Sequence, residues 1–272
     1  LIHAEGAYIH DLLDLNFAKN GYDNMWRLRE NIKLNGNLYP THGLGPVAQC
    51  LNINRGDKMN HLVAMSSNDF MMGEKAKELA TKDSFFQEFV GKNYRGNMNT
   101  TLIRTAKGKT IMLQHDVTSP RPYSRLHTLS GTKGFAQKYP TENIAFGHEF
   151  ISEQKLKELY DKYTPELVKY IGEQAKQVGG HGGMDFMMDW RLIDCLRNGL
   201  PLDQDVYDAA SWSCVVPLSF ESVAKNCKTV DIPDFTKGAW KDNNPVDITL
   251  KGGGNTPIRS RTAKKENIQL GV

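Results

Sequence analysis

The sequence has no long hydrophobic run, no large excess of charge and no paired-cysteine motif. No apolar stretch approaches the roughly 20 residues that a membrane-spanning helix needs, so an integral membrane protein is not expected. The net charge is +3 over 272 residues, with basic and acidic side chains intermixed, and the basic run at 259–265 is short. These features argue against a nucleic-acid partner. The sequence has four cysteines, Cys50, Cys195, Cys214 and Cys227. Because no two of them have C-x-x-C spacing, a zinc or redox motif is not expected.

Several catalytic signatures are missing as well. There is no G-x-S-x-G elbow, and none of the eight histidines has H-x-x-x-H or H-E-x-x-H spacing, so no metal site is expected. The glycines in 43–45 and 180–182 lack the third glycine of a dinucleotide fingerprint, so this chain cannot supply a complete nucleotide fold by itself. A glycosidase that uses two carboxylates needs them at a characteristic distance from each other. Nothing in the sequence places any two of the candidate acids at such a distance; the candidates are Glu5, Asp11, Asp116 and Asp185.

The N-terminus has no initiator methionine and no signal peptide. The chain opens directly on residues 1–8, which have the pattern of a strand. We therefore expect the sequence to begin partway through a longer protein. Any targeting segment would then lie on the missing piece.

The first half of the chain is predicted to be rich in strands. The clearest signal is a hairpin, because two runs with many β-branched residues, 99–105 and 110–116, flank a glycine-containing turn. Further strands are predicted at 2–10, 61–67 and 124–129, with one more after the turn that follows, and mixtures of loop and short helix at 12–33 and 71–90.

Helices are predicted from residue 152 onward. The predicted ranges are 152–176 with a break near Pro165, 184–198, and 206–226 with a cap at Asp203 or Asp205 and a kink at Pro217. Irregular structure is expected from about residue 241. Strands first and helices afterwards predict an α+β fold, with a mostly antiparallel, open-faced sheet and helices packed on one face.

Residues 36–46 place a phenol, a hydroxyl and an imidazole between glycines and prolines. Pro40 disfavours helix at Tyr39, and Thr41 is a good N-cap for a helix through 47–51. Tyr39 and His42 are then predicted at the mouth of a helix whose first N–H groups can meet an anion or a polarised oxygen. The same composition is also typical of an ordinary turn, so both interpretations stay open.

Two other stretches carry polar groups on exposed backbone. In 180–186, glycines surround His181 immediately before a helix, and Asp185 falls in its first turn, where the dipole favours a carboxylate. A plain glycine turn capped by Asp185 is the alternative. The loop 121–123 projects Arg121 and Tyr123 from a sheet edge, as in sugar sites or in a rigid surface loop.

Taken together, these motifs resemble a known family. Residues 4–11, 39–43, 121–123 and 180–186 are similar to glycoside hydrolase family 109, whose members are NAD-dependent α-N-acetylgalactosaminidases within the Gfo/Idh/MocA superfamily. The similarity runs from residue 1 to about residue 240. It implies that 1–272 is a substrate-binding C-terminal domain, and that NAD binds mainly to an N-terminal Rossmann domain absent from this chain.

The resemblance also implies an unusual hydrolysis. NAD takes hydride from C3 of the sugar, the ketone acidifies the C2 proton, the glycosidic oxygen is eliminated, water adds, and the hydride returns. By position, His42 is the imidazole at the C3 hydroxyl, and Arg27, Tyr39 and Tyr123 contact the substrate. His181 and Asp185 are assigned to substrate binding on the motif match alone.

One departure bears on the choice between branches of the superfamily. Many of its dehydrogenases carry an aspartate four residues before the equivalent histidine, and Leu38 stands there in this sequence. This departure disfavours a plain dehydrogenase and favours the glycosidase branch.

Two other functions remain alternatives at this point: a sugar or cyclitol NAD(P)-dependent oxidoreductase, and a non-catalytic carbohydrate-binding or oligomerisation module. The expected partners are a glycan or glycoside substrate and a second copy of the chain, paired through the sheet face. No nucleic acid and no membrane insertion are expected. Family resemblance favours a periplasmic or exported protein over a cytoplasmic one, and the isolated chain is expected to be inactive.

Overall fold

The computed structural model describes residues 1–258, and the chain divides into two compact units. Unit 1 comprises Leu1–Ser152 and Asp205–Pro245, and unit 2 comprises Glu153–Gln204 and the segment from Val246 onward. The basic run at 259–265 lies outside the described residues. Within residues 1–258, no helix combines the length and the hydropathy that crossing a bilayer requires.

Unit 1 contains a nine-stranded sheet with the order β8-β7-β6-β5-β1-β4-β3-β2-β9. The strands are β1 (His3–Ile9), β2 (Met59–Ser66), β3 (Asn99–Thr105), β4 (Thr110–Asp116), β5 (Thr128–Ser130), β6 (Gly134–Gln137), β7 (Asn143–Phe146), β8 (Glu149–Phe150) and β9 (Val230–Asp231). Only β1 and β4 pair in parallel, and the other neighbours are antiparallel. The predicted mostly antiparallel sheet is therefore confirmed, including both arms of the hairpin.

The helices of the described chain are α1 (Leu13–Phe17), α2 (Trp26–Lys33), α3 (Thr41–Cys50), α4 (Met72–Ala80), α5 (Glu153–Tyr163), α6 (Glu166–Val178), α7 (Met184–Asn198), α8 (Val206–Ser213) and α9 (Val215–Ala224). In unit 1, α3, α8 and α9 cover one face of the sheet. Their apolar side chains, such as Leu44 and Val215, share a core with Leu62, Ile103 and Ile111 from the strands. The other face is open, with Met65 64% exposed and Leu102 48% exposed. This arrangement is the predicted α+β architecture.

Helix α3 begins earlier than the sequence predicts. Thr41 is its first residue rather than its cap, so Gly43, Gly45 and Pro46 lie inside the helix instead of in a turn. The reason is the close approach of α3 to β1, because a Cβ at Gly43 would overlap the backbone of Gly6 and Ala7. The glycines therefore permit packing of helix against strand.

Two further predictions need correction. The helix predicted at 206–226 is broken at Cys214, and Pro217 falls in the first turn of α9, where a missing N–H is tolerated. Its cap is Asp205, which forms a capping box with Asp208. The strand predicted at 124–129 is shortened to β5, because Leu126 and His127 have positive φ angles of 57° and 51°.

Unit 2 is helical and buries several polar groups among apolar ones. Arg191 donates to the carboxylate of Asp203 at 3.0 Å. The buried Asp194 carboxylate accepts from the Gly254 N–H at 2.8 Å and from the Thr256 hydroxyl at 2.8 Å. The two Asp194 contacts hold the 246–258 segment against α7.

Candidate functional site

An aromatic and imidazole cluster lies where β1 ends, and Tyr8 is at its centre. Tyr8 is buried, and its hydroxyl forms a hydrogen bond with His10 Nδ1 at 3.0 Å. Because strand side chains alternate, Tyr8 and His10 project to the same face. On the parallel neighbour β4, His115 stands in register with Tyr8, and the two ring centroids are 6.2 Å apart.

Tyr39 and His42 join this cluster from the start of α3. The Tyr39 ring lies 4.5 Å from Tyr8 and 4.7 Å from His42, centroid to centroid. The Tyr8 and His42 centroids are 5.1 Å apart. Both Tyr39 and His42 are partly exposed. The sequence-predicted pair is thus brought together on one rim, with His42 in the first helical turn.

The loop after β4 adds Tyr123 to the same rim. Its ring centroid is 4.9 Å from His10 and 6.2 Å from Tyr8, and the side chain is 38% exposed. Its hydroxyl accepts a hydrogen bond from Arg125 Nε. Arg121, predicted to share this space, is exposed, and its backbone N–H bonds Ser119.

Arg27 places a positive charge against the cluster. Its guanidinium lies over Tyr39, with 5.4 Å from Cζ to the ring centroid, and over Tyr22 at 4.7 Å. Its positive charge acts to lower the pKa of the Tyr8 phenol. The Nε atom is buried with no partner among the described residues. A guanidinium here can stabilise an oxyanion that develops next to the tyrosines.

Burial determines the protonation of the inner groups. It raises the pKa of Tyr8, against the opposing influence of Arg27, so the phenol stays protonated at neutral pH. Burial lowers the pKa of His10, and the charge of Arg27 lowers it further. Burial also lowers the pKa of His115 far below the usual range, with additional repulsion from Arg95 and Arg27. Both imidazoles are therefore neutral near pH 7.

The backbone of His42 is held by an unusual contact. Pro46 has no N–H to donate to the His42 carbonyl four residues earlier, so this oxygen is released from the helical pattern. His127 Nε2 donates to it at 2.9 Å. Burial lowers the pKa of His127, which keeps the ring neutral, and the bond to His42 opposes this shift. His127 thereby ties the start of α3 to the segment preceding β5.

His181 and Asp185 belong to unit 2 and pair with each other. His181 Nδ1 lies 2.9 Å from an Asp185 carboxylate oxygen, and both side chains are exposed. Asp185 occupies the first turn of α7 as predicted. Their assignment to substrate binding stays a prediction.

Sequence reasoning identifies four cluster residues and misses three. It assigns Tyr39, His42, Tyr123 and Arg27 to the site, and it does not assign Tyr8, His10 and His115. The period-two spacing of Tyr8 and His10 in the strand pattern 4–11 is a usable signal. His115 has none, because its place depends on the pairing of β4 with β1.

The sequence matches a known family and curated relatives. The family described as "Glycosyl hydrolase 109, C-terminal domain" matches residues 1–242. An alpha-N-acetylgalactosaminidase from Bacteroides fragilis is 51% identical over 247 residues, covering 89% of this chain and 58% of that protein. One from Shewanella oneidensis is 47% identical over 253 residues, covering 91% and 55%. The chain thus spans somewhat more than half the length of these curated relatives.

Solved structures share the fold. Levoglucosan dehydrogenase in complex with NADH and levoglucosan superposes with a TM-score of 0.55 at 16% identity, covering 86% of this chain and 59% of that chain. An NAD binding oxidoreductase from Klebsiella pneumoniae gives a TM-score of 0.56 at 10% identity, covering 85% and 58%. At these identities the likeness shows the fold alone.

Proposed function

Because this chain belongs to the glycoside hydrolase 109 family, we propose that it is the substrate-binding part of an NAD-dependent glycosidase acting on terminal α-linked N-acetylgalactosamine. The observation that supports this most is the packing of His42 with Tyr8 and Tyr39 on a partly exposed rim beside Arg27. An imidazole, phenols and one guanidinium suit proton transfer at a sugar and stabilisation of an enolate.

The cofactor is proposed to bind mainly outside this chain. Within residues 1–258, the only parallel strand pair is β1–β4, and no glycine fingerprint follows either strand, which supports a dinucleotide cradle outside these residues. The chemistry that NAD supplies when bound is transient oxidation at C3 of the sugar. The NADH in the levoglucosan dehydrogenase structure supports this cofactor.

The residues of this chain then handle protons and charge. His42 accepts the C3 hydroxyl proton, which a neutral imidazole can do near pH 7. Once C3 is a ketone, a base in the cluster removes the C2 proton. Tyr39, Tyr123 and Arg27 stabilise the enolate oxygen as the glycosidic oxygen leaves with its bonding electrons and a proton. Addition of water and return of both hydrogens complete a net hydrolysis.

The test uses the full-length protein that contains this chain. It should release nitrophenol from the α-N-acetylgalactosaminide with no net consumption of NAD, and the C2 hydrogen should exchange with deuterated solvent. Cleavage with the C2 hydrogen fully retained would rule out elimination. The 272-residue chain alone should be inactive, so activity from it would contradict the division of roles proposed here.

A sugar or cyclitol oxidoreductase is the second candidate. The structural neighbours favour it, because one is named a dehydrogenase and the other an oxidoreductase. Net accumulation of NADH with a free sugar, without glycoside cleavage, would identify that activity.

The open sheet face supports a homo-oligomer, whether or not the chain takes part in catalysis. Its exposed apolar side chains include Met65 and Leu102. Replacing both with lysine should shift the protein from a larger species to a monomer in sedimentation. Export from the cytoplasm stays a prediction.

A further inference from the structure

A polar cavity of unit 1 lies outside the aromatic cluster. Its volume is about 320 Å³, at the lower end of the roughly 300–1,000 Å³ that small-molecule sites occupy. The lining includes three amides, a hydroxyl, a carboxylate and an ammonium, from Asn35, Ser67, Asn68, Asp69, Lys92 and Asn93. The remaining lining residues are Tyr94 and Gly96. None of these residues takes part in the proposed reaction, so the cavity has no role assigned to it so far.

The register of the sheet places this cavity at the same edge as the candidate site. Tyr8 stands opposite His115 on β4, and His115 stands opposite Asn99 on β3. Asn99 in turn stands opposite Ser66 at the end of β2, and the next residue, Ser67, lines the cavity. Three steps between neighbouring strands correspond to about 14 Å.

Helix α2 gives a similar separation. Arg27 of the candidate site lies in its first turn, and Asn35 of the cavity follows shortly after its last residue. A helix of this length extends for about 12 Å. A glycan whose terminal sugar lies at the aromatic rim can therefore reach the cavity with a sugar further along its chain.

Hydrogen bonds within the fold hold the walls of the cavity in place. The Asp69 carboxylate accepts from the backbone N–H groups of Met72 at 2.9 Å and Gly73 at 2.7 Å, at the beginning of α4. The chain also approaches itself closely at Gly96, because a Cβ there would overlap the Ser67 carbonyl oxygen. The shape of the cavity is thus set by the fold before any ligand binds.

Several polar groups of the lining, by contrast, do not support the fold. Asn68, Lys92 and Asn93 are exposed, and their side chains have no hydrogen-bond partner within residues 1–258. Asn35 Oδ1 accepts from the Gly96 N–H at 3.2 Å, which leaves the N–H donors of the Asn35 amide available. A side-chain amide both donates and accepts, as a sugar hydroxyl does. The available groups therefore match a ligand that carries many hydroxyls.

The same side chains disfavour other classes of ligand. Lys92 is the single cation of the lining, and Asp69 offsets its charge and already bonds the N–H groups of α4 that an anion would use. Asp69 is also the single carboxylate of the lining, and the described residues contain no group of three side chains suited to a metal ion. An apolar ligand would leave the amides without partners.

An exposed aromatic ring next to the cavity supports a sugar as the ligand. Phe70 follows Asp69 directly and is 67% exposed. Its backbone N–H donates to Asn97 Oδ1 at 2.7 Å, which fixes this part of the loop. Sites for small polar ligands combine aromatic side chains with a few directed polar groups. A ring beside three amides provides this combination for the apolar face and the hydroxyls of a pyranose.

We propose that this cavity binds a sugar residue further along the glycan that carries the terminal α-N-acetylgalactosamine. The amides of Asn35, Asn68 and Asn93 exchange hydrogen bonds with its hydroxyls, and the Phe70 ring covers its apolar face. The inference rests on the proposed function, because it takes a glycan as the substrate. It adds that the protein recognises more of the glycan than the residue it releases.

The first test compares two substrates of the full-length protein. One is the nitrophenyl α-N-acetylgalactosaminide, which has no further sugar, and the other is a pentasaccharide in which α-N-acetylgalactosamine is attached to lacto-N-tetraose. The double substitution Asn68→Ala and Asn93→Ala should raise the KM for the pentasaccharide about 10-fold relative to the KM for the nitrophenyl glycoside, because hydrogen bonds to the outer sugar are lost.

Asn20→Ala is the matched control, since Asn20 is exposed in unit 1 and does not line the cavity. It should leave the ratio of the two KM values unchanged. An unchanged ratio in the double variant as well would overturn the proposal.

A titration measures binding without the reaction and without any substitution. Lacto-N-tetraose, which lacks the terminal residue, should shift the NMR signals of the Asn68 and Asn93 side-chain amides in the full-length protein and leave those of Asn20 unchanged. No shift of the two amides, or a shift produced by sodium phosphate instead, would overturn the proposal. If lacto-N-tetraose shifts these signals but neither substrate is cleaved, the proposed function is wrong and the cavity is still a sugar-binding site.

Discussion

Two histidines in this chain have nearly the same sequence setting and opposite structural outcomes. His42 and His181 are each flanked by glycine and each lie at the beginning of a helix. His42 packs against the Tyr8 and Tyr39 rings of unit 1. His181 is exposed in unit 2, where its ring pairs with Asp185.

The glycines explain the difference. Gly43 has helical geometry and allows the α3 backbone to touch β1 at Gly6, which draws the neighbouring imidazole into a core-supported site. Gly182, by contrast, has a φ angle of 71°, and a Cβ added there would meet nothing within 4 Å, so this glycine shapes a turn on the surface. The glycine after His42 therefore serves the packing of helix against strand, whereas the glycine after His181 serves a turn.

The largest expected effect comes from removing the two imidazoles in turn. His42→Ala should reduce turnover of the α-N-acetylgalactosaminide by about 100-fold or more, because it removes the group that we propose as acceptor of the C3 hydroxyl proton. His181→Ala should change turnover by less than about 10-fold, since an exposed contact contributes little. Steady-state kinetics of the full-length variants measures both. Equal losses of turnover in the two variants would show that His42 in unit 1 and His181 in unit 2 both take part in the reaction.

The second prediction concerns the two glycines. Gly43→Ala should destabilise unit 1 by about 3 kcal/mol, because the new methyl group would force α3 away from β1. Gly182→Ala should cost about 1 kcal/mol, the penalty for a left-handed alanine in open space. Hydrogen exchange of β1 and α7 amides separates the two units. If Gly182→Ala destabilised the protein as much as Gly43→Ala, the proposed difference between a packing glycine and a turn glycine would be wrong.

The sequence predicts a helix or strand of this fold well where interactions between nearby residues are enough to form it. The hairpin arms and α7 are found at the predicted residues, because β-branched runs and glycine stops act locally. The start of α3 is not predicted, since Gly43 and Pro46 are poor helix formers and the packing of the helix on β1 is not visible in the sequence. Tertiary packing overrides propensity there.

In the candidate site, too, some residues are recognisable from local sequence and others only from tertiary packing. Tyr39 and His42 stand out in the sequence because turn residues surround them. His115 is indistinguishable from a core histidine until the parallel pairing of β1 and β4 places it against Tyr8. The role of Pro46 in releasing the His42 carbonyl becomes visible only with His127 in place.

The third prediction is a pH dependence specific to unit 1. His115 is neutral in the fold because burial lowers its pKa, whereas in the unfolded chain it titrates near the ordinary value of 6.5. Its contribution to stability is therefore complete above about pH 6.5. Below that value, stability falls by up to about 1.4 kcal/mol per pH unit until the folded-state pKa is reached.

Denaturation midpoints at pH 5.5 and 7.5 measure this dependence, and His115→Gln is the matched control because it keeps an acceptor for the Leu38 N–H. The substitution should reduce the pH slope. An unchanged slope in His115→Gln would mean that His115 is not the group that titrates.

The smallest expected effect tests the link between His127 and His42. His127→Phe should destabilise unit 1 by about 1 kcal/mol, because the His42 carbonyl loses its donor. Adding Pro46→Ala to that variant supplies a backbone N–H four residues after His42, so part of the loss should return. Pro46→Ala alone serves as the control for the change in backbone freedom. Denaturation of the four proteins forms a double-mutant cycle, and strict additivity would show that the released carbonyl and His127 are energetically independent. A coupling of about 1 kcal/mol would instead show that Pro46 leaves the His42 carbonyl free to accept from His127.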